Sequence, residues 1–339
     1  MELPVEGRRR GRFTMTPARF AIAPERYRQV CIWALASLVL IVATGAAVRL
    51  TGSGLGCSDW PTCEEDRFVA SWSWHPMIEF VNRLITGVVS VGVIAAVAGA
   101  WWRVPRRADL CWYSLGLVAG VVGQILLGAA LVKAELDPRF TIGHFLLSAV
   151  LVANAVVLHH RAGLDDDRRP RPAAATAAPP ADPRGARAAR LALASTVAIG
   201  VTVVLGTIVT GAGPHGGDDR AARFNLEIAA VTRLHSGAAW VAAASILLLA
   251  LHVGRDERAA AHRRPVWRLL ALTIAQGGLG YLQYALGIPA LLVGFHVLGA
   301  TVLWALSVRT TLELREARTA PAPAVSRPEH PAEPVLSGG

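Results

Sequence analysis

Charge is scarce in this chain. Asp, Glu, Lys and Arg make up 17% of its 339 residues, while hydrophobic residues make up 53%. That length would hold two soluble domains, but so little charge with so much apolar surface excludes them. Also missing are the alternating segments of about ten residues that mark a transmembrane β-barrel. Lipid then leaves helices as the only way to satisfy the backbone. The first apolar run lacks a small-residue cleavage site and is followed by seven more, so it reads as a helix and not a signal peptide. What is present are eight nearly uncharged stretches, 29–48, 84–102, 110–132, 140–160, 191–213, 234–254, 269–287 and 290–308. Each is long enough to cross a hydrocarbon core of about 30 Å. The sequence predicts an all-α membrane protein of eight transmembrane helices.

The net charge of +10 would suggest a nucleic-acid partner in a soluble protein, but its placement argues otherwise. Of the 34 Lys and Arg residues, 26 fall in residues 1–28, 103–107, 161–190, 254–268 and the tail from Arg309. The intervening loops are nearly free of positive charge, so the positive-inside rule puts both termini in the cytoplasm and leaves no call for nucleic acid. The expected organisation is a cytoplasmic segment 1–28, a four-helix half 29–160, a Pro/Ala/Arg-rich cytoplasmic linker 161–190, a second half 191–310 and a disordered cytoplasmic tail 311–339.

The halves share signatures. Thr51-Gly-Ser-Gly54 matches Thr210-Gly-Ala-Gly213, and Gln124-x-x-x-Gly128 matches Gln276-x-x-x-Gly280. His144 lies 20 residues after Gln124, as His296 does after Gln276, and His235 pairs by offset with Asn82. Four spans per half make this a parallel repeat of two pseudo-symmetric bundles.

Polar groups inside the membrane carry the functional signal. Six of the ten His residues (His159, His160, His215, His252, His262 and His330) fall at helix ends, in loops or in the tail, where solvation accounts for them. His235 and His296 fall at similar depth near the starts of their helices, with Gly237 and Gly299 nearby to admit a flat macrocycle. They form a candidate bis-His haem site, a proton relay, or an interhelical hydrogen-bonded pair. In the first half the equivalent places hold Asn82 and His144, with His75 just before Pro76 as another ligand candidate or an interfacial His. Glu79 is the one acidic residue of the spans besides Asp109. It stands four residues before Arg83, as a functional carboxylate or one partner of an ion pair.

Cys31 and Cys111 read as core residues. Cys57 and Cys63 lie close together in the first outer loop, where a disulfide, as a staple or a redox pair, fits better than a metal site short of ligands. Trp72 and Trp74 stand before the second helix as an aromatic belt.

Arg49-Leu-Thr-Gly-Ser-Gly-Leu-Gly-Cys57-Ser-Asp-Trp-Pro-Thr-Cys63, Ile78-Glu79-Phe-Val-Asn82-Arg83, Gly143-His144-Phe, Arg233-Leu-His235 and Phe295-His296 together closely resemble the haem A synthase family, over residues 29–310. The resemblance implies oxidation of the C8 methyl of haem O to a formyl group, by successive hydroxylations with water-derived oxygen, giving haem A for terminal oxidases. It implies haem b as cofactor on the iron ligands His235 and His296, Glu79 as the essential carboxylate, His144 as a ligand facing the substrate haem and a Cys57–Cys63 disulfide. Asn82 departs from the Glu-x-x-His-Arg pattern of many members and is similar to actinobacterial-type members, which puts bis-His ligation of the substrate haem in doubt. Haem O is then the substrate, and haem O synthase, membrane lipid and a second copy of the chain are candidate partners. The competing readings are a di-haem electron-transfer cytochrome, which has no need of Glu79, and a transporter, which needs no haem.

Overall fold

The structure is a computed structural model and describes residues 21–58, 62–64, 69–166 and 182–318. The described residues form eight long helices: α1 (Pro24–Leu50), α2 (Trp74–Trp102), α3 (Ala108–Lys133), α4 (Pro138–Ala162), α5 (Pro183–Ala212), α6 (Ile228–Gly254), α7 (Ala260–Ala285) and α8 (Ala290–Ala317). Seven are long and apolar enough to cross a membrane, making this a multi-pass membrane protein. The exception is α7, whose apolar run is diluted by Gln276, Tyr281, Gln283 and Tyr284 and which packs between α6 and α8.

Local chemistry sets several ends. Proline opens α1, α4 and α5, where its missing N–H costs no helical hydrogen bond. Asp137 and Asp182 cap α4 and α5 by accepting from the Arg139 and Arg184 backbone N–H at 2.8 and 3.1 Å. The Arg139 side chain also holds the Asp137 carboxyl down from 3.8 to about 2. Helix boundaries depart from expectation in three places. α2 starts ten residues earlier than the apolar run, so Trp74 lies inside it and His75, Glu79, Asn82 and Arg83 occupy its first turns. α5 starts at Pro183, inside the expected linker, and α8 runs on to Ala317, so residues 311–317 of the expected disordered tail are helical. Residues 167–181 of the linker and 319–339 of the tail lie outside the described residues.

Packing follows one order twice. In the first half α1 packs on α2, α2 on α3, α3 on α4 and α4 back on α1; in the second half α5 to α8 close a ring in the same order. The halves meet through α1 with α8, α4 with α5 and α4 with α8, where the Trp304 indole N–H donates to the Ala149 carbonyl at 2.8 Å. The α3–α4 and α7–α8 turns also match. Glu135 and Leu136 have positive φ (50° and 62°), as do Gly287 and Ile288 (78° and 61°). Leu136 N–H bonds to Leu131 O at 2.9 Å, and Ile288 N–H to Gln283 O at 2.7 Å. An identical left-handed helix stop at identical spacing is the backbone counterpart of the sequence offsets.

The core of the first half gathers Tyr27, Leu38, Val93, Leu110, Leu117 and Leu158; that of the second gathers Ile199, Ile246, Leu249, Val266 and Leu303. Outward-facing Trp33, Val88, Ile94, Leu126, Val241 and Ile274 are each more than 48% exposed. An aqueous protein does not show so much apolar surface, whereas lipid covers it. Trp72 and Trp74 are exposed at one end of the bundle, and Trp101, Trp102 and Trp112 at the other, as two aromatic belts. At the basic end Arg103 and Arg107 are buried. Arg103 donates to Asp166 at 2.8 Å, and Arg107 donates to Asp109 and to the last carbonyls of α4. These two arginines are structural as well as topological.

Candidate functional site

The described site residues collect at the end opposite the basic one. Cys57 and Cys63 are joined by a disulfide across a Cα–Cα distance of 4.5 Å, and both are buried. The short loop lies directly on the start of α2. A Cβ on Gly56 would sit 2.6 Å from the His75 carbonyl, so only glycine permits the approach. Glu79, in the second turn of α2, is buried beneath the loop with its side chain 8% exposed. Its Oε2 accepts from the Cys57 backbone N–H at 2.8 Å, and its Oε1 accepts from Arg83 Nη2 at 2.6 Å. Arg83 Nη1 donates to the Thr62 carbonyl at 2.7 Å, beside Cys63. The ion pair expected from the i, i+4 spacing therefore exists, and both its members are tied to opposite ends of the disulfide loop.

His75 is exposed in the first turn of α2, where its Nδ1 shares a hydrogen bond of 3.0 Å with Ser53 Oγ, itself bonded to Thr51 Oγ1. Asn82 points inward, its Oδ1 buried without a hydrogen-bond partner. His144, in the second turn of α4, also keeps a ring nitrogen buried and unpartnered. Gln124 on α3 donates to the His144 carbonyl at 3.0 Å and to Ser148 Oγ at 2.6 Å. Gly128, one turn further along α3, faces the His144 ring, and a Cβ there would make ordinary contact with Cε1 at 3.7 Å.

The second half repeats the device. Gln276 donates to the His296 carbonyl at 2.6 Å, Gly280 faces the His296 ring, and His296 Nδ1 is buried without a partner. His235 comes from α6, diagonally across the four-helix ring, and its Nδ1 bonds to the Thr202 carbonyl at 2.9 Å. The two imidazoles stand 6.2 Å apart, centre to centre, at 71°. The structure brings the two histidines together, and the two glycines expected nearby have different surroundings. Gly299 makes room for the Gln276 side chain, whose Oε1 a Cβ would approach to 2.3 Å, and Gly237 faces open space. The glycine beside His235 is Gly206 of α5, where a Cβ would meet ring Cε1 at 3.0 Å. Neither Gly206 nor the Thr202 carbonyl carried a sequence signal, because their contact with His235 crosses helices.

The outer loops of the halves interlock. Gly54 N–H donates to the Gly217 carbonyl at 2.8 Å, and Arg49 donates to the Thr210 carbonyl at 2.9 Å. Among the described residues no group of three or more His, Cys, Asp or Glu gathers as for a bare metal ion.

Two four-helix rings, with inward histidines and a clamped carboxylate beside a disulfide at one end, define a multi-pass helical membrane protein. The chain belongs to the COX15-CtaA family of cytochrome oxidase assembly proteins, whose model matches residues 28–215. The relatives it resembles are heme A synthases. That of Lysinibacillus sphaericus is 29% identical over 126 residues, 37% of this chain and 41% of the relative. That of Alkalihalophilus pseudofirmus is 29% identical over 122 residues, 36% and 41% of the two chains. That of Listeria monocytogenes is 29% identical over 132 residues, 38% and 43%. The match spans about two fifths of the length of these curated relatives. The family match ends at His215, before α6, so His235 and His296 stand on geometry and on their own motifs.

Proposed function

We propose that the protein is a haem A synthase that oxidises the C8 methyl of haem O to a formyl group, with haem b in the second half and haem O in the first. The observation that carries this reading is the unequal furnishing of two halves packed alike. His235 from α6 and His296 from α8, with ring centres 6.2 Å apart, would hold the haem b between them. The bond from Thr202 O to His235 Nδ1 leaves Nε2 for the iron, the usual outer support of a ligating histidine. His296 contributes a buried ring nitrogen that no protein group satisfies. In the first half Asn82 replaces the second imidazole, leaving His144 as the one strong ligand. A group gripped by two imidazoles stays, while one gripped by a single imidazole exchanges, as a substrate must.

Bound haem b supplies one-electron relay chemistry. The remaining work falls to the chain. Each hydroxylation of the methyl carbon consumes a water, releases two protons and passes two electrons to an acceptor outside the chain, and the diol left by the second loses water to give the formyl group. Glu79 is the base for that water: each carboxylate oxygen already accepts one hydrogen bond but keeps further lone-pair capacity. Arg83 fixes the orientation of the carboxylate through its 2.6 Å bond to Oε1. The disulfide loop covers the site and limits stray water. His75 lies at the rim, available as a weak second ligand. Positive charge at the other end supports a cytoplasmic orientation for that end and an outer one for the site, where a disulfide persists. Haem O synthase is the proposed donor of this greasy substrate.

The test is spectroscopic. His235→Ala and His296→Ala should each remove the haem b Soret band from purified protein whose Cys57–Cys63 bridge is intact. An unchanged spectrum in either variant removes that residue as a ligand.

A further inference from the structure

The interlocked outer loops hold two cations that the reaction above does not use. Arg49 ends α1, and Arg223 lies in the loop before α6. They sit on consecutive glycines. A Cβ on Gly216 would fall inside the Arg223 guanidinium, 2.1 Å from Cζ, and one on Gly217 would stand 3.6 Å from Arg49 Cγ. Gly217 also has a φ of +102°, which disfavours any side chain there, and a residue larger than glycine at 216 would displace the Arg223 guanidinium. The arginines are near enough for their like charges to oppose one another. Burial pushes the Arg223 guanidinium down from its ordinary value.

Their hydrogen bonds go to backbone oxygens alone: Arg49 to Thr210, and Arg223 to Pro214 and Ala222. Among the described residues no carboxylate pairs with either, and Asp218 of the same loop is committed to Arg220 at 3.0 Å. Two half-buried like charges held together without an acid are unfavourable unless an anion joins them. A guanidinium offers five donors, so most of their capacity is unspent. The place is specific. The Gly54–Gly217 bond seats this loop against the segment leading to Cys57, and the neighbouring Ser53 bonds to His75 at 3.0 Å. The pair therefore borders the His75 and Glu79 side of the first half, where an apolar ring with an acidic edge would present that edge.

We propose that Arg49 and Arg223 form a carboxylate site at the junction of the halves that grips the propionate groups of the porphyrin bound in the first half. The inference rests on the haem reading above. The full-length protein carrying its haem b would be titrated with haem O and with haem O dimethyl ester, in neutral detergent, following the Soret difference spectrum. Wild type should bind the free acid about tenfold tighter than the diester, the worth of one charge-assisted contact. Arg49→Gln and Arg223→Gln should bind the two forms alike. Because Arg49 also caps α5, Arg223→Gln carries the test if Arg49→Gln folds poorly. Equal binding of both forms by wild type overturns the proposal, as does a preference that survives in the variants. Binding of neither form by wild type would instead sink the haem reading itself. If the variants differ from wild type only in retaining phosphatidylglycerol, the site belongs to lipid and the proposal falls.

Discussion

Replacing Glu79 separates its structural work from its chemical work. Its carboxylate accepts from the Cys57 N–H at 2.8 Å and from Arg83 at 2.6 Å, with side chains 8% and 21% exposed. Glu79→Ala removes both of these bonds while Arg83 keeps its bond to Thr62. Breaking a buried pair costs about 3–5 kcal/mol, and partial solvation of Arg83 argues for the low end, about 3 kcal/mol. Glu79→Gln keeps an acceptor for Cys57 and loses only the charge, at about 1.5 kcal/mol. The disulfide reports this directly, because Cys57 and Cys63 are buried and a reductant reaches them only when the loop opens. At about 1.4 kcal/mol per tenfold, the reduction rate should rise about 100-fold in Glu79→Ala and about tenfold in Glu79→Gln. The haem b spectrum should be unchanged in both, and haem A formation lost in both. Wild-type reduction rates in Glu79→Ala would refute the clamp, and normal haem A yield from Glu79→Gln would refute the base.

Two further predictions come from the histidine surroundings. Gly206→Ala places a methyl 3.0 Å from His235 Cε1 and should shift the low-spin haem b resonance, whereas Gly45→Ala, with nothing within 4 Å, should leave it alone; equal effects would mean that the ring is not held there. The Gln124 and Gln276 bonds should separate by half: Gln276→Leu should lower haem b content, while Gln124→Leu should spare haem b and slow haem A formation. Loss of haem b in both would argue against separate sites.

The eight helices were legible because lipid-facing and core-facing residues alike are apolar, so each span reads as one run. The start of α2 was not, because Glu79, Asn82 and Arg83 break the run where the helix carries its chemistry. The offsets of Gln124, His144 and their counterparts are compatible with the two rings, and the structure adds the matched turns at Leu136 and Ile288. One glycine against His235 was not legible, because Gly206, where a Cβ would meet the ring, sits on another helix, while Gly237 faces open space. Nor could spacing alone show that the Cys57 backbone holds Glu79, or that Arg49 meets the loop of Arg223, since these contacts join distant segments. Tertiary placement, and not residue type, was the missing information.

The central claim is that one half keeps its haem while the other transforms one. It is tested by extracting and chromatographing the haems of the purified protein, expressed with and without a haem O synthase in a host that makes no haem A. The account predicts haem b in both preparations and haem A only where haem O is supplied. Haem b alone in both would contradict it in favour of an electron-transfer cytochrome, and no haem in either would remove the haem sites altogether.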